Sequence, residues 1–416
     1  MPVSTTPDQV DAPRVVQAPK FPEFVAMMAS LMALTALSID IMLPALPLIR
    51  DSYGVVDANA QQLVITLYMV GFGVGQLFYG TLSDRFGRKV VLGAGLAVYA
   101  AAAMICLVAP SFEVLLAARL LQGMSNAAPR VVAVAVVRDL YGGRRMAEVM
   151  SFVMTVFIVV PALAPALGSA ILLFGDWHEI FLFLGLVALA ILFWTGVRLP
   201  ETRPRELREP LSLAWIAGAF GQIVRTRVTL GYTLATGVAF GGMMAYINSA
   251  EQVYNEVYAA GGLFTLLFAL VALAMAGAAI TNSRLVARLG MRKIGHTALI
   301  AYALVGGVHM ALEMLPGTLA LPVFMGMMML QLYCFGLIMP NFNAISMEPQ
   351  GRIAGTASSF VGAATTGIAA FLGWLVGQSY DGTALPLAAG YFIFGAASLV
   401  MVLIVERGRL WGTSAG

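Results

Sequence analysis

The sequence predicts an all-α membrane protein with twelve transmembrane helices in two pseudo-symmetric six-helix bundles. Of its 416 residues, 60% are hydrophobic and only 11% are charged, whereas a soluble domain carries about 25% charged residues. Twelve apolar stretches follow one another, each long enough to cross a hydrocarbon layer of about 30 Å, which requires roughly 20 helical residues. Lys and Arg are also distributed unevenly between these stretches. Together these observations exclude a water-soluble enzyme.

The predicted spans are separated by short connections, with one long polar connection after the sixth. Their limits lie where charged and turn-forming residues interrupt the apolar runs. In chain order, the spans are 22–49, 58–80, 89–109, 112–136, 147–173, 179–199, 227–250, 260–281, 294–313, 319–341, 354–378 and 386–406.

The charge distribution predicts the orientation and supports an even number of crossings. With the N-terminus in the cytoplasm, 21 of the 24 Lys and Arg residues lie on cytoplasmic segments. Arg50 lies outside, and Arg119 and Arg130 lie within spans. Shifting the count by one helix would destroy this asymmetry, so the positive-inside rule predicts that both termini are cytoplasmic.

The domain boundaries follow from the same pattern. We expect a cytoplasmic tail at 1–20, which lacks the apolar core of a signal peptide, and a second tail at 407–416. The first bundle is predicted at 21–200, the linker at 201–226 and the second bundle at 227–406.

Each half carries a short basic loop after its second span. The first loop reads GTLSDRFGRK from Gly80 to Lys89, and the second contains the same Arg-apolar-Gly core 203 residues later. Two similar halves of six spans indicate an internal repeat, with a site at their shared midplane.

The first basic loop is predicted to form a breakable latch on the cytoplasmic side. A glycine at its start allows two helices to approach closely, its Asp suits the positive end of a neighbouring helix, and its Arg residues suit carboxylates. Simple anchoring to anionic headgroups would explain the Arg and Lys residues but not the Gly and Asp residues. The predicted latch residues are Gly80, Asp84, Arg85, Gly87 and Arg88, with Asp139 as a partner of the arginines.

Asp40 is the predicted proton site, because an ionisable residue deep within a membrane span is by default a functional one. Arg119 is the candidate partner. Asp40 lies about nine residues from the outer end of its span and Arg119 about seven, so their depths agree within roughly 3 Å. The alternative is a permanent salt bridge without proton traffic.

Two further sets of polar residues predict a cavity between the helices. Four residues of the fourth span stand at i, i+3, i+7 and i+11, so they share one face and must line a cavity or the bundle interior. Tyr68 belongs to a second-span stripe for which cavity and core are equally favoured. Glu251 is interpreted either as a second proton or cation site or as a solvated charge at the membrane surface. The predicted cavity residues are Gln122, Asn126, Arg130, Tyr68, Tyr246, Asn248, Glu251 and Tyr254.

Motifs along nearly the whole chain resemble those of the major facilitator superfamily, and specifically its drug:proton antiporters of the Bcr/CflA (bicyclomycin and chloramphenicol resistance) type. The loop GTLSDRFGRK resembles the superfamily's loop between helices 2 and 3. The further matching segments are DIMLPALP at 40–47, RLLQG at 119–123, RDLY at 138–141, LPET at 199–202, MEP at 347–349 and AGTASS at 354–359.

Two segments depart from the family pattern. The fifth span is similar to the superfamily's antiporter motif at Pro165 and Gly168, but Val160, Ala164 and Ser169 stand where the family has glycines. At 250–252 this chain reads AEQ, where the family usually has Ser-Pro-Phe. The antiport interpretation therefore depends on the resemblance more than on the fifth span.

The resemblance implies a monomeric multi-pass antiporter in a bacterial inner membrane. It would export small amphipathic or lipophilic compounds in exchange for protons, without a cofactor, a metal ion or nucleic acid. The chain contains no Walker loop, so we do not expect ATP-driven export by this chain alone. Nothing in the sequence resembles a Ser/His/Asp set, and we expect no enzyme activity. A proton-coupled metabolite importer and a non-transporting sensor or scaffold are the alternatives.

Overall fold

The computed structural model describes residues 19–208 and 213–411. Within those residues it contains α-helices joined by short turns and 3₁₀ segments, and no β-strand. The helices are α1 Phe21–Asp40, α2 Leu46–Ser52, α3 Leu63–Phe86, α4 Arg88–Leu107, α5 Phe112–Leu140, α6 Gly143–Leu172, α7 Trp177–Arg198, α8 Leu213–Arg225, α9 Arg227–Gln252, α10 Phe264–Leu289, α11 Met291–Glu313, α12 Leu321–Met347, α13 Ala354–Gln378 and α14 Leu385–Val405.

The long helices correspond one by one to the predicted spans. Eleven helical segments of the described chain are long and apolar enough to cross a membrane. The predicted span 147–173 corresponds to α6, whose apolar stretch Val159–Leu172 is shorter. Several helices, including α3 and α10, run one or two turns past the predicted limit. Those extra turns carry the charged ends that a hydropathy pattern assigns to loops.

The first membrane segment is interrupted directly after Asp40. A proline ring has no N–H and clashes with the carbonyl four residues earlier, so Pro44 prevents the helix from continuing past Asp40. A 3₁₀ turn at Leu43–Ala45 and the short helix α2 complete the crossing. Asp40 therefore occupies the last position of α1, at a break in the helix.

Glycines allow the helices of the N-terminal half to pack at backbone distance. A Cβ atom at Gly71 would lie 2.0 Å from the carbonyl oxygen of Leu120, and one at Gly123 would lie 1.9 Å from that of Tyr68. Neither position can hold a side chain without separating α3 from α5. This contact fixes the face that each helix presents to the rest of the bundle.

The two halves repeat each other at their basic ends. Gly87 and Gly290 both adopt a positive φ, 99° and 80°, at the turn between the second and third membrane helices of their half. The next turn of the chain carries an arginine in each case, Arg88 and Arg292, which pairs with carboxylates. We call this end of the bundle the basic end.

The predicted linker contains a helix that the sequence analysis did not identify. Helix α8 follows the polar segment after α7 and buries Ala219 and Ile223. Its Phe220 ring lies 5.3 Å from the ring of Phe360 on α13. The linker is thus an amphipathic helix that packs along the C-terminal half rather than a plain connection.

Candidate functional site

A central cavity of about 510 Å³ lies between the two halves. It is bounded by helices of both, with Asp40 and Tyr246 among its walls. It extends to the exposed residues Arg138, Asn343 and Ser358 at the basic end. The cavity therefore opens at the basic end and reaches inward to the break in the first membrane segment.

The cavity wall is mainly apolar and unusually rich in methionine. Methionine side chains are flexible and polarisable, so they can repack around ligands of different shape. Aromatic rings add flat apolar surface, which suits planar or lipophilic molecules. The methionines and phenylalanines of the wall are Met32, Met69, Met150, Met243, Met244, Met275, Met339, Phe72, Phe220, Phe240 and Phe268.

Asp40 is a buried carboxyl group on this wall. Only 4% of the residue is exposed, and no described Lys, Arg or His lies within ion-pair distance of it. Tyr246, on α9 of the other half, lies near enough to interact electrostatically with the Asp40 carboxyl. The group that we predict to bind a proton therefore faces both the cavity and the opposite half.

The predicted contact between Asp40 and Arg119 is absent, although both residues lie where their depths suggested. Arg119 is fully buried and donates to the backbone oxygens of Ser38 and Val64, at 3.1 and 3.0 Å, and to Gln122 Oε1 at 2.6 Å. Its guanidinium also lies over the Tyr68 ring. Residues 38 and 40 are about 200° apart around a helix, so Arg119 contacts the side of α1 that faces away from the Asp40 side chain.

Two of the eight predicted cavity residues, Arg130 and Tyr246, line the cavity. Arg130 lies 5.5 Å from the centre of the Phe72 ring. Asn126 instead donates to Tyr68 and Thr35 within the N-terminal half. Along the polar face of α5, therefore, only the last residue reaches the cavity. Arg119 and Asn126 hold α1 and α3 against α5, and Gln122 accepts a hydrogen bond from Arg119 on the same helix.

Of the remaining predicted residues, Asn248 and Glu251 lie at the opposite end, where the halves meet, and Tyr254 lies within the C-terminal half. Tyr254 is buried and its hydroxyl lies 3.2 Å from that of Tyr246. Asn248 donates to Thr66, and Glu251 accepts a hydrogen bond from Gln61 at 3.3 Å. We call the residues that join the halves here the amide cluster: Asn59, Gln61, Gln62, Asn248, Glu251, Gln252 and Gln378.

The amide cluster closes the cavity on the side away from its mouth. Gln62 donates to Gln252 Oε1 at 2.6 Å and to the carbonyl oxygen of Gly377 at 3.1 Å. Gln252 donates to Asn59, which donates in turn to the backbone oxygen of Gln378. Glu251 is 4% exposed, so its interpretation as a solvated surface charge is wrong. The structure describes a conformation open at the basic end and shut at the other.

The predicted latch residues form a network around Arg88, which is only 1% exposed. Its guanidinium pairs with Asp84 at 2.8 Å and with Asp139 at 2.9 Å, and donates to Ser83 at 2.6 Å. Glu201 accepts from the backbone N–H of Arg88 at 2.9 Å. The network thus joins α3, α4, α5 and the segment after α7.

Two glycines of the loop are required by close contacts. A Cβ atom at Gly87 would lie 2.5 Å from Glu201 Oε2, and one at Gly80 would lie 2.7 Å from Ser359 Oγ on α13. Gly80 is therefore a point of contact between the halves. The predicted contact of Arg85 with Asp139 is absent: Arg85 is exposed, and Asp139 is paired with Arg88 instead.

Helix α6 meets the break in the first membrane segment at a glycine. A Cβ atom at Gly168 would lie 2.2 Å from the carbonyl oxygen of Ile41, the residue after Asp40. Pro165 and Pro161 lie in the same helix, and Pro161 lines the cavity. The segment predicted to resemble an antiporter motif therefore packs against the backbone next to Asp40.

Sequence reasoning did not identify Asn59, Gln62 or Gln378 of the amide cluster, because single amides at span ends have no periodic pattern. No group of three or more His, Cys, Asp or Glu suited to a metal ion occurs in the described part of the chain.

Comparison with known proteins gives the same architecture. The family model of the Major Facilitator Superfamily matches residues 28–374. A Bacillus subtilis protein, "Uncharacterized MFS-type transporter YdgK", is 31% identical over 88% of this chain and 91% of its own length. A Haemophilus influenzae "Bicyclomycin resistance protein homolog" is 31% identical over 91% of this chain and 94% of its own.

Solved structures with the same fold include a human organic anion transporter, TETRAN, with a TM-score of 0.70 and 19% identity over 93% of this chain and all of that one. A D-xylose-proton symporter has a TM-score of 0.69 and 14% identity, and the match covers 92% of this chain and 97% of that one. At these identities the likeness concerns the fold alone.

Proposed function

Because this chain belongs to the major facilitator superfamily, we propose that it is a proton-coupled antiporter that exports small amphipathic or lipophilic compounds. The observation that carries the proposal is Asp40, a buried carboxyl without an ion-pair partner among the described residues, on the wall of a methionine-rich cavity. The relatives of this chain include proteins named for resistance to bicyclomycin and to chloramphenicol, which supports drugs as the substrate class.

The proposed transport cycle uses the central cavity and two gates, one at the basic end and one at the amide cluster. With the basic end in the cytoplasm, as the charge distribution predicts, substrate enters the cavity from the cytoplasm or the inner leaflet. Rocking of one half against the other then closes the basic end and opens the amide cluster. Asp40 takes a proton from outside after the substrate leaves, the halves return, and Asp40 releases the proton to the cytoplasm.

The energy available to one proton is sufficient for this exchange. One charge crossing the membrane yields about 2.3 kcal/mol per 100 mV, before any pH gradient is added. Since about 1.4 kcal/mol corresponds to a tenfold ratio of concentrations, one proton supports at least a roughly tenfold gradient of substrate.

Arg119 has a positioning role in this proposal. Its guanidinium holds the backbone of Ser38 on α1, two residues before Asp40, and so fixes the last turn of α1 against α5. We place the protein in a bacterial inner membrane as a monomer that works with protons and small molecules and without a cofactor. The domain boundaries, with the halves at 21–200 and 227–406, belong to the same proposal.

The first test is the variant Asp40→Asn in inverted membrane vesicles. We expect it to lose proton-coupled accumulation of lipophilic drugs at least tenfold, because an amide cannot gain and lose a proton. Asp51→Asn is the matched control: Asp51 is exposed, pairs with Arg50 at 2.7 Å and lies in the same membrane segment. We expect the control to accumulate drug like the wild type.

The same assay separates the alternatives. An exporter accumulates drug when the vesicle lumen is acidified, whereas an importer does not. Full coupled accumulation by Asp40→Asn would overturn the assignment of Asp40. Absence of proton movement with any compound of a resistance-guided panel would favour a sensor or scaffold over a transporter.

A further inference from the structure

Glu251 is the one carboxyl group within the amide cluster, where the two halves meet. It is buried, and it accepts hydrogen bonds from Gln61 of the other half and from Asn255 on its own helical segment. It does not line the central cavity. The carboxyl is thus shielded by amides on the side away from the cavity mouth, and opening that side would expose it.

The cluster has fewer hydrogen-bond donors than acceptors. Three of its buried side-chain oxygens have no partner, namely those of Gln61, Gln62 and Asn248. Among the described residues of the cluster, no buried side-chain nitrogen lacks one. A buried acceptor without a donor is unfavourable, because it has lost its hydrogen bond to water. The closed cluster therefore lacks at least one hydrogen that a neighbouring group could supply.

We propose that Glu251 is a second proton-binding site, which holds a proton while the amide cluster is closed and releases it when the halves separate there. A protonated carboxyl gains an O–H donor, whereas an ionised one only accepts. The nitrogen of the Gln61 amide lies 3.3 Å from Glu251 Oε2, so a half-turn of that amide brings its unpartnered oxygen to the carboxyl O–H.

No charged group near Glu251 among the described residues neutralises its carboxylate in place of a proton. Arg50 on α2 is the nearby cation, but it pairs with Asp51 at 2.7 Å. Glu256, in the turn after α9, adds a second negative charge nearby. An ionised carboxylate that is buried without a paired cation is costly, so the closed cluster favours the neutral carboxylic acid.

Tyr380, which follows α13, is the remaining titratable group beside Glu251. Burial raises the pKa of its hydroxyl, and the carboxylate of Glu256, which accepts its hydrogen bond at 3.0 Å, raises that pKa further. Tyr380 therefore stays protonated around neutral pH and contributes no pH dependence there. Glu251 and Glu256 are the carboxyl groups whose titration must be distinguished.

The proton on Glu251 would control the gate without being transported. Because Glu251 lies outside the cavity wall, its proton returns to the side from which it came when the cluster opens. This inference rests on the proposed alternating access, but not on Asp40. Acid outside would hold the protein open to the cytoplasm, the conformation that accepts substrate.

The test measures the gate directly by pulsed electron paramagnetic resonance. Spin labels are attached in lipid nanodiscs to Val56→Cys and Ser379→Cys, two exposed positions of opposite halves that flank the cluster. The native cysteines Cys106 and Cys334 are buried. Between about pH 5 and pH 8, we expect the closed-to-open ratio to fall with rising pH, by at most about tenfold per pH unit for one proton.

Three variants decide the assignment. Glu251→Gln carries a permanent donor, so we expect its gate to stay closed and lose at least three-quarters of the pH response. Glu256→Gln, which removes the neighbouring exposed carboxylate, is the matched control and should keep that response. Asp40→Asn should also keep it while losing coupled efflux, so failure of the proposed function can be distinguished from failure of this inference.

A gate with the same distances at every pH would overturn the proposal, and so would a Glu251→Gln gate that responds like the wild type. The measurement is repeated with sodium, potassium or choline chloride at equal ionic strength. Closure that requires sodium or potassium would assign the unpartnered oxygens to a cation instead of a proton.

Discussion

Arg119 is a charged residue within a membrane span whose observed contacts hold helices together. Its three hydrogen bonds reach Ser38 on α1, Val64 on α3 and Gln122 on its own helix, and its guanidinium lies 4.5 Å from the centre of the Tyr68 ring. Two of these acceptors are backbone carbonyl oxygens. Arg119 therefore ties three helices together beside Asp40.

We expect Arg119→Ala to lower the free energy of unfolding by at least about 3 kcal/mol, since each buried acceptor left unpaired costs about 1–3 kcal/mol. Arg119→Lys should recover only part of that loss, because an ammonium group cannot reproduce the planar fork of a guanidinium. Thermal unfolding in detergent measures both variants. A fully stable Arg119→Ala protein that fails to couple would contradict the packing role.

At the scale of the element, the break after Asp40 and the approach of α6 to it form one unit. Pro44 ends α1 at Asp40, and the small Gly168 lets α6 lie against the carbonyl oxygen of Ile41. The backbone around the carboxyl is thus held by a proline in the turn after α1 and by a glycine on α6. Such an arrangement positions Asp40 without any ion pair.

Gly168→Ala is expected to push α6 away from Ile41, because the new Cβ would lie 2.2 Å from a backbone oxygen. Overpacking of this kind costs about 1–3 kcal/mol, and we expect coupled efflux to fall more than tenfold. Gly196→Ala on α7 is the matched control, since nothing lies within 4 Å of that position. Equal efflux by both variants in the vesicle assay would refute the contact's role.

Each half of the molecule has an arginine at the basic end that pairs with two carboxylates, and the two arginines differ in burial. In the N-terminal half Arg88 is 1% exposed and pairs with Asp84 and Asp139 at 2.8 and 2.9 Å. In the C-terminal half the Arg292 side chain is 20% exposed and lies 3.3 Å from both Glu348 and Glu406. The internal repeat thus includes the arginine–carboxylate networks of the two halves as well as their sequences.

The two arginines should differ in what their removal costs. Arg88→Ala leaves Asp84 and Asp139, whose side chains are 34% and 15% exposed, without their shared cation. We expect this variant to lose about 1–3 kcal/mol of stability, whereas the pairs of the more exposed Arg292 should be worth about 1 kcal/mol or less. Unfolding of each variant by denaturant measures the difference. A larger loss of stability for Arg292→Ala than for Arg88→Ala would show that the burial of the arginine does not determine how much each ion-pair network stabilises the protein.

Much of the fold could be predicted because a membrane helix is defined by properties local to the chain. An apolar run of sufficient length forms a helix that satisfies its own backbone. The first predicted span therefore matched α1 with α2, and the other eleven matched α3–α7 and α9–α14. Helix α8 was missed because its charged surroundings resemble a loop. The latch was partly predicted: Arg88 meets Asp139, but Arg85 faces solvent.

Depth along a helix is likewise readable from residue counts, and Asp40 and Arg119 lie at the levels that counting gave. The sequence alone therefore determined the number of membrane spans, the repeat and the residues that carry charge into the membrane. Only the tertiary structure decided which face each side chain presents and to which partner. It turned Arg119 toward the backbone of α1, Asp40 into the cavity and Glu251 into the contact between halves. Successive side chains of a helix point about 100° apart, so neighbouring residues on one helix face different partners. The orientation of a helix about its own axis is set by the helices packed against it, and no local sequence pattern encodes that packing.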